Sequence, residues 1–244
     1  MNITITSNND FYRYVAQQMA QQVLHKPDSV LCVATGTTTK PIFDELVRLK
    51  KELNIDFSKA FAFNVDEYVG VCKEDPASCH WRIRDELYAP VGLENRYYVP
   101  SAIEGNMEAG LKDFREVLDR LQGIDLMLLN VGGNGHIAFN EPGTPFESDL
   151  YIADISQNTI KAKAEMFGGE EKVPRYGITM GIRSIMQAKK ILFVACGAHK
   201  ADIMKVSLTG PVTTDVPASV LQLHPFVDVI VDESAGVGLT GVAT

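Results

Sequence analysis

The sequence predicts an α/β fold, a mostly parallel sheet covered by helices on both faces, in one domain spanning residues 1–244. Three observations predict it. Short, near-continuous apolar runs recur along the chain, as strands buried on both faces require. Amphipathic stretches of helical spacing separate them. No repeat, low-complexity tract or Pro/Gly/Ser linker divides the sequence.

The elements follow in order. The sheet begins almost at residue 1, and Asp10–Leu24 reads as the first helix. Ser29–Ala34 (SVLCVA) is a buried strand, with Pro41–Leu53 the helix after it. Ala60–Val65 (AFAFNV) is a second strand. Asn106–Leu121 is a helix, because Met107, Leu111, Phe114, Val117, Leu118 and Leu121 are spaced for one face. Ile124–Val131 (IDLMLLNV) carries the strongest strand signal. Lys190–Ala195 (KILFVA), a helix over Lys200–Leu208 and the strand Phe226–Val231 (FVDVIV) complete the pattern. The methionines at 107, 127, 180, 186 and 204 read as core fillers and Trp81 as a packing residue.

Composition bounds the function. With 23 basic and 31 acidic residues the formal charge is −8, against the basic face of a nucleic-acid binder. No apolar run is long enough for a membrane span. The N-terminus lacks the basic start and apolar core of a secretory signal. Cysteines at 32, 72, 79 and 196 form no C-x-x-C, so free thiols in a reducing cytoplasm are expected, and no metal site. Oligomeric state is left open, a homo-oligomer included.

Ligands of such sheets bind beyond the carboxyl ends of the strands, so the candidates are the residues that follow each strand. After the first apolar run comes Thr35-Gly36-Thr37-Thr38, a small hydroxyl-rich turn at a helix start and suited to an oxyanion. It matches neither G-x-x-x-x-G-K-[ST] nor G-x-G-x-x-G, and a Thr cap without ligand reads equally well. After the second come Asp66 and Glu67; a carboxylate there faces the crevice as a candidate base, with an exposed acidic turn the plainer alternative. After the strongest strand comes GGNGHIAFNEPG. His136 sits in this turn as a candidate proton shuttle, Glu141 is spaced to orient it, and Asn134 to hold the other side of the ring. Lys200 follows KILFVA and can meet an anion, although a solvated helix lysine is the simpler reading. His224 has a structural role beside the last strand.

Taken together, VATGTTT, FNVDEYVG, NVGGNGHIAFNEPG, VPRYGITMGIRSIMQAKKILFVACGAHK and VTTDVPASVLQLHP resemble, in order, the amino-sugar 6-phosphate deaminase/isomerase family, from about Ser29 to Glu233. The resemblance implies a modified doubly wound, Rossmann-like fold. It also implies conversion of glucosamine 6-phosphate or galactosamine 6-phosphate to a ketohexose 6-phosphate plus ammonia, without a cofactor. The expected headings are hydrolase and isomerase. Carried over by position, Thr35 to Thr38 (with Gly36) match the phosphate loop and Lys200 a phosphate-contacting lysine. Asp66 matches the base at C2, and His136 the residue that opens the ring, held by Glu141 and Asn134.

Three departures stand out. Ala164-Glu165-Met166-Phe167 lies where the glucosamine branch has S-R-F-F, so Glu165 replaces a phosphate-binding arginine; Lys161, Lys163, Lys172 and Arg175 are the nearby cations. Cys79 and His80 stand where aromatics are usual, and Asn130 where glycine is usual. The A-E-M-F segment, the cysteine after P-A-S and G-I-T-M-G lean toward the galactosamine branch. Tyr151 and Ala153 occupy positions that are cationic in allosteric relatives, and the chain ends without a long tail, which implies no activation by an N-acetylated sugar phosphate. Two other readings compete: a 6-phosphogluconolactonase, which has a similar G-x-x-x-G-H turn, and a non-catalytic sugar-phosphate sensor domain.

Overall fold

A computed structural model of the chain describes residues 1–93 and 95–239; the last five residues of the expected domain lie outside these. In chain order the elements are β1 (Asn2–Thr6), α1 (Phe11–His25), β2 (Val30–Val33), α2 (Thr39–Glu52), β3 (Phe61–Asn64), β4 (Asp66–Tyr68), α3 (Cys79–Ile83), α4 (Ala89–Val91), β5 (Tyr97–Tyr98) and α5 (Met107–Leu121). Then come β6 (Leu126–Asn130), β7 (Leu150–Asp154), α6 (Gln157–Phe167), β8 (Tyr176–Met180), α7 (Ile182–Ile185), β9 (Ile191–Ala195), α8 (Ala201–Thr209) and β10 (Val227–Asp232). Every strand and helix expected from sequence is present, with ends shifted by no more than two residues.

The main sheet has seven strands in the order β1-β10-β9-β6-β2-β3-β5, all paired in parallel. Alternate residues of the central strands feed two separate cores. Cys32, Met127, Leu129, Ile191 and Phe193 face one; Leu31, Val33, Leu126, Leu128 and Leu192 face the other. That is why these runs are apolar throughout instead of alternating. Phe11, Val15 and Met19 of α1 and Ile42, Phe43 and Leu46 of α2 cover the second face. Phe114 of α5 and Met204 and Leu208 of α8 cover the first, with Met107, Leu111, Leu118 and Leu121 packed at its margin.

From β2 the chain winds outward through β3 to β5, then returns to place β6 on the other side of β2. The reversal therefore lies between β2 and β6, and a crevice opens where their following loops diverge. The loop after β2 is the threonine turn, and the loop after β6 is the glycine-rich turn with His136.

A second, three-stranded antiparallel sheet, β4-β8-β7, is absent from the expectation drawn from sequence. Its first strand is three polar or aromatic residues long, one residue after β3, and has no periodic signal of its own. It exists through its partner: Asp66 pairs with Thr179, Glu67 with Ile178 and Tyr68 with Gly177. This sheet turns the acidic pair from an open turn into fixed backbone.

Candidate active site

A cavity of about 260 Å³ opens at the reversal point. Thr35, Gly36 and Thr37 line it from the β2–α2 turn, Asp66 and Tyr68 from β4, and Cys79 and Arg82 from α3. His136 and Phe139 contribute from the glycine-rich turn, Thr159, Lys163 and Met166 from α6, and Lys200 from the turn that leads from β9 into α8. The acid, the imidazole, the threonine turn and Lys200 thus converge on one cavity.

The turn after β2 is shaped for close approach. A Cβ on Gly36 would meet the Asn130 side-chain nitrogen at 3.0 Å, so Asn130 is packed against the bare backbone of Gly36. The Thr35 hydroxyl lies 3.2 Å from the Cys79 sulfur and joins the turn to α3. Thr38 differs from the expectation: it is buried at the start of α2 and is not part of the cavity wall. Its backbone N–H still belongs to the first helical turn, whose amides have no intrahelical acceptor.

The two adjacent acids have separate tasks. Glu67, 3% exposed, accepts from Tyr68 N at 2.8 Å, Cys79 N at 3.0 Å and His80 N at 2.7 Å. It is a structural anchor that ties α3 to β4. Replacing it with alanine leaves three amide donors without that acceptor, and the cost is about 2–4 kcal/mol; urea unfolding of Glu67→Ala should show the corresponding fall in midpoint. Asp66, 7% exposed, has no side-chain hydrogen bond among the described residues and borders the cavity. Burial, then the neighbouring Glu67 carboxylate, pushes its pKa up to about 7, with Lys163 opposing. A carboxyl buried without partners destabilises the fold, and such groups concentrate at functional sites.

His136 is oriented from one side. Its Nδ1 lies 2.7 Å from Asn134 Oδ1, and Asn134 Nδ2 donates to Glu141 Oε2 at 2.7 Å. The second bond fixes the amide so that its oxygen faces the ring, which makes Nδ1 the protonated nitrogen of the neutral imidazole. Glu141 Oε1 is 3.6 Å from the same Nδ1 and accepts from the Thr159 hydroxyl. Asn134 and Glu141 therefore both serve Nδ1, where the sequence had suggested opposite sides of the ring, and neither is in the cavity wall. Nε2 has no protein partner among the described residues and carries the lone pair. Burial holds the imidazole pKa below its ordinary value; Glu141 acts against this, Lys200 and Lys163 with it. The ring lies against Gly132: a Cβ there would stand 2.1–2.4 Å from its atoms.

Four charged side chains border the cavity: Asp66 against Arg82, Lys163 and Lys200. A protein of net charge −8 thus presents a locally cationic site. Lys200 Nζ donates to Val131 O at 2.8 Å, which fixes the ammonium over the end of β6. Of the four cations near Glu165 in sequence, only Lys163 reaches the wall; Lys161, Lys172 and Arg175 do not. Glu165 is exposed on α6 and faces away from the site. Arg82 was missed from sequence, because its spacing matches no motif and only the fold brings α3 to the cavity. His224 has the structural place expected of it, its Nε2 bonded to Ala188 O at 2.7 Å. Among the described residues no group of three or more His, Cys, Asp or Glu is placed to hold a metal ion.

The family model for glucosamine-6-phosphate isomerases/6-phosphogluconolactonase matches residues 7–228. The chain belongs to this family. A glucosamine-6-phosphate deaminase of Clostridium botulinum (strain Kyoto / Type A2) is 38% identical over 237 residues, which cover 96% of this chain and 97% of the relative. One of Lachnoclostridium phytofermentans is 42% identical over 229 residues, covering 93% and 97%. A solved structure, described as a monomeric glucosamine-6-phosphate deaminase, superposes with a TM-score of 0.92 at 33% identity, covering 97% of this chain and 99% of that one. These relatives correct one expectation. They are named as deaminases, in a family described by its isomerases, so deaminase replaces hydrolase as the heading. No helix among the described residues is long and apolar enough to cross a membrane.

Proposed function

We propose that the protein is a glucosamine-6-phosphate deaminase, releasing ammonia from an amino-sugar 6-phosphate to leave a ketose 6-phosphate. The observation that carries this reading is the meeting, in one cationic cavity, of a carboxyl at Asp66 and an imidazole nitrogen, His136 Nε2, neither of which has a hydrogen-bond partner among the described residues. Glucosamine is preferred over galactosamine because the relatives at 38–42% identity are named for glucosamine. The same naming weighs against the lactonase, which needs no base at C2.

The Thr35–Thr37 turn, the α2 amides and Lys200 hold the 6-phosphate and fix the sugar. His136 Nε2 takes the proton of the C1 hydroxyl and gives it to the ring oxygen, opening the ring to the aldehyde. Asn134 and Glu141 hold the tautomer that makes this possible. Asp66 then removes the C2 proton and returns it at C1. The product of that shift is a ketose imine; water adds at C2, and ammonia leaves. Hydrogen only moves along the carbon chain, so the sequence of steps balances without an external oxidant or reductant.

Ammonia release with glucosamine 6-phosphate, galactosamine 6-phosphate and 6-phosphogluconolactone, with lactone hydrolysis followed in parallel, tests the reading. Release from glucosamine 6-phosphate, faster than from its C4 epimer and without lactone hydrolysis, is the expected result. Lactone hydrolysis alone refutes it.

The pH dependence follows from Asp66. The base must be ionised, and its pKa is raised from the ordinary 3.8 to about 7, so kcat/KM should rise with pH up to about 7 and then level. Burial holds the His136 pKa below its ordinary value, so its own titration lies to the acid side of the Asp66 midpoint. Lys163 is the cation that lowers the Asp66 pKa. A Lys163→Met variant should therefore carry the same limb to higher pH, measured as kcat/KM across pH 5–9.

A further inference from the structure

We propose that Arg82 is a phosphate-binding residue, which together with Lys163 supplies the cationic contact that position 165 does not. The proposal rests on the sugar-phosphate reading only for the identity of the anion.

Four observations carry it. First, Arg82 borders the cavity while its side chain is only 17% exposed, so the guanidinium is directed inward. Second, its one acidic partner within 4.0 Å among the described residues is Glu86, with Oε1 3.4 Å from Nε. The contact occupies the Nε edge and leaves both terminal nitrogens for a two-point contact with a tetrahedral anion. Third, α3 is docked on the phosphate turn. Cys79 of α3 meets the Thr35 hydroxyl at 3.2 Å, and Glu86, in the helical segment Arg84–Tyr88 that continues α3, lies within electrostatic reach of Lys40 in the first turn of α2. The guanidinium is thereby tied to the end of the cavity that the α2 amides face. Fourth, Arg82 and Lys163 approach from different elements, α3 and α6, closely enough to repel each other, and among the described residues no salt bridge holds Lys163. Two largely buried cations bordering the same cavity, close enough to interact, are unfavourable when it is empty. An anion seated between them removes that penalty. Glu165 points to solvent, so the acid at that position does not oppose it.

Calorimetric binding of two probes, inorganic phosphate and glucitol 6-phosphate, tests the proposal without turnover. Arg82→Met should weaken both about 10- to 100-fold, as expected for the loss of charge-assisted hydrogen bonds. Arg82→Lys, which keeps the charge but not the fork, should fall between it and the wild type. In turnover, KM should rise by a similar factor with kcat within about threefold. Glu86→Gln breaks the same ion pair from the other side. It should leave phosphate affinity at or above the wild-type value if Arg82 binds the anion, and should copy Arg82→Met if the pair only braces α3. Wild-type affinity for both probes in folded Arg82→Met, or in Arg82→Lys should the first variant not fold, overturns the proposal. So does a Glu86→Gln protein that copies Arg82→Met. Arg82-dependent phosphate binding in a protein that releases no ammonia would sink the deaminase reading and leave this one standing.

Discussion

Asp66→Asn should lower kcat for ammonia release by about 10²–10⁴-fold, the range for removal of a positioned general base. The side chain keeps its size and its place beside β8, so KM should change little. The same variant should also be more stable than the wild type above neutral pH. A carboxyl whose pKa is about 7 when folded and 3.8 when unfolded binds its proton more tightly in the fold. Its stabilising contribution is complete below about pH 4 and is lost as pH rises through about 7. At pH 8 the wild type bears the cost of an ionised, unpaired, buried group, which asparagine does not. From the size of the shift the gain is about 2–4 kcal/mol, readable as a higher urea midpoint at pH 8 and a vanishing difference near pH 4. Loss of activity with gain of stability is the signature of a group kept for chemistry. Equal losses of both would instead make Asp66 a structural residue like Glu67.

Gly132→Ala should have the second largest effect. The added methyl would stand 2.1–2.4 Å from three atoms of the His136 ring, well inside contact distance. The ring must move by about an ångström, because the alternative is to displace the strand end that carries residue 132. Moving the ring also disturbs the 2.7 Å bond from Nδ1 to Asn134 that fixes its tautomer. Misplacement of this size costs about 10²-fold in kcat. Gly132 has no left-handed backbone requirement, so folding itself should be little affected. Circular dichroism and the urea midpoint should stay close to wild type while kcat collapses. Full activity in Gly132→Ala would mean that the enzyme works with a different placement of the His136 ring.

The central strands of the main sheet were legible in the sequence because they are buried on both faces, whereas β5, two half-buried residues at the sheet edge, was not. SVLCVA, IDLMLLNV and KILFVA are apolar almost without interruption, as a strand must be when each of its two faces packs against a separate core. The loops after those strands could be located for the same reason. The small sheet was not legible. Asp66–Tyr68 is too short to show a period, and its strand character comes from pairing with residues 177–179, more than a hundred positions away. Glu67 and Asp66 could not be told apart by position, since the difference lies in three backbone donors that only the folded α3 supplies. The compensation for Glu165 was half visible. Lys163 was among the candidates, but Arg82 is eighty-three residues upstream of position 165 and reaches the cavity only through the docking of α3 on the threonine turn.

The central claim is that the Asp66 carboxyl moves the C2 hydrogen of an amino-sugar phosphate. The most direct measurement uses glucosamine 6-phosphate deuterated at C2 and follows both the label and ammonia. In the wild-type enzyme the label should leave C2, for C1 of the ketose or for solvent, in step with ammonia release, and both should slow together by the same factor in Asp66→Asn. Ammonia formed with deuterium still at C2, or label lost from C2 at the wild-type rate in the Asp66→Asn protein, would contradict the account.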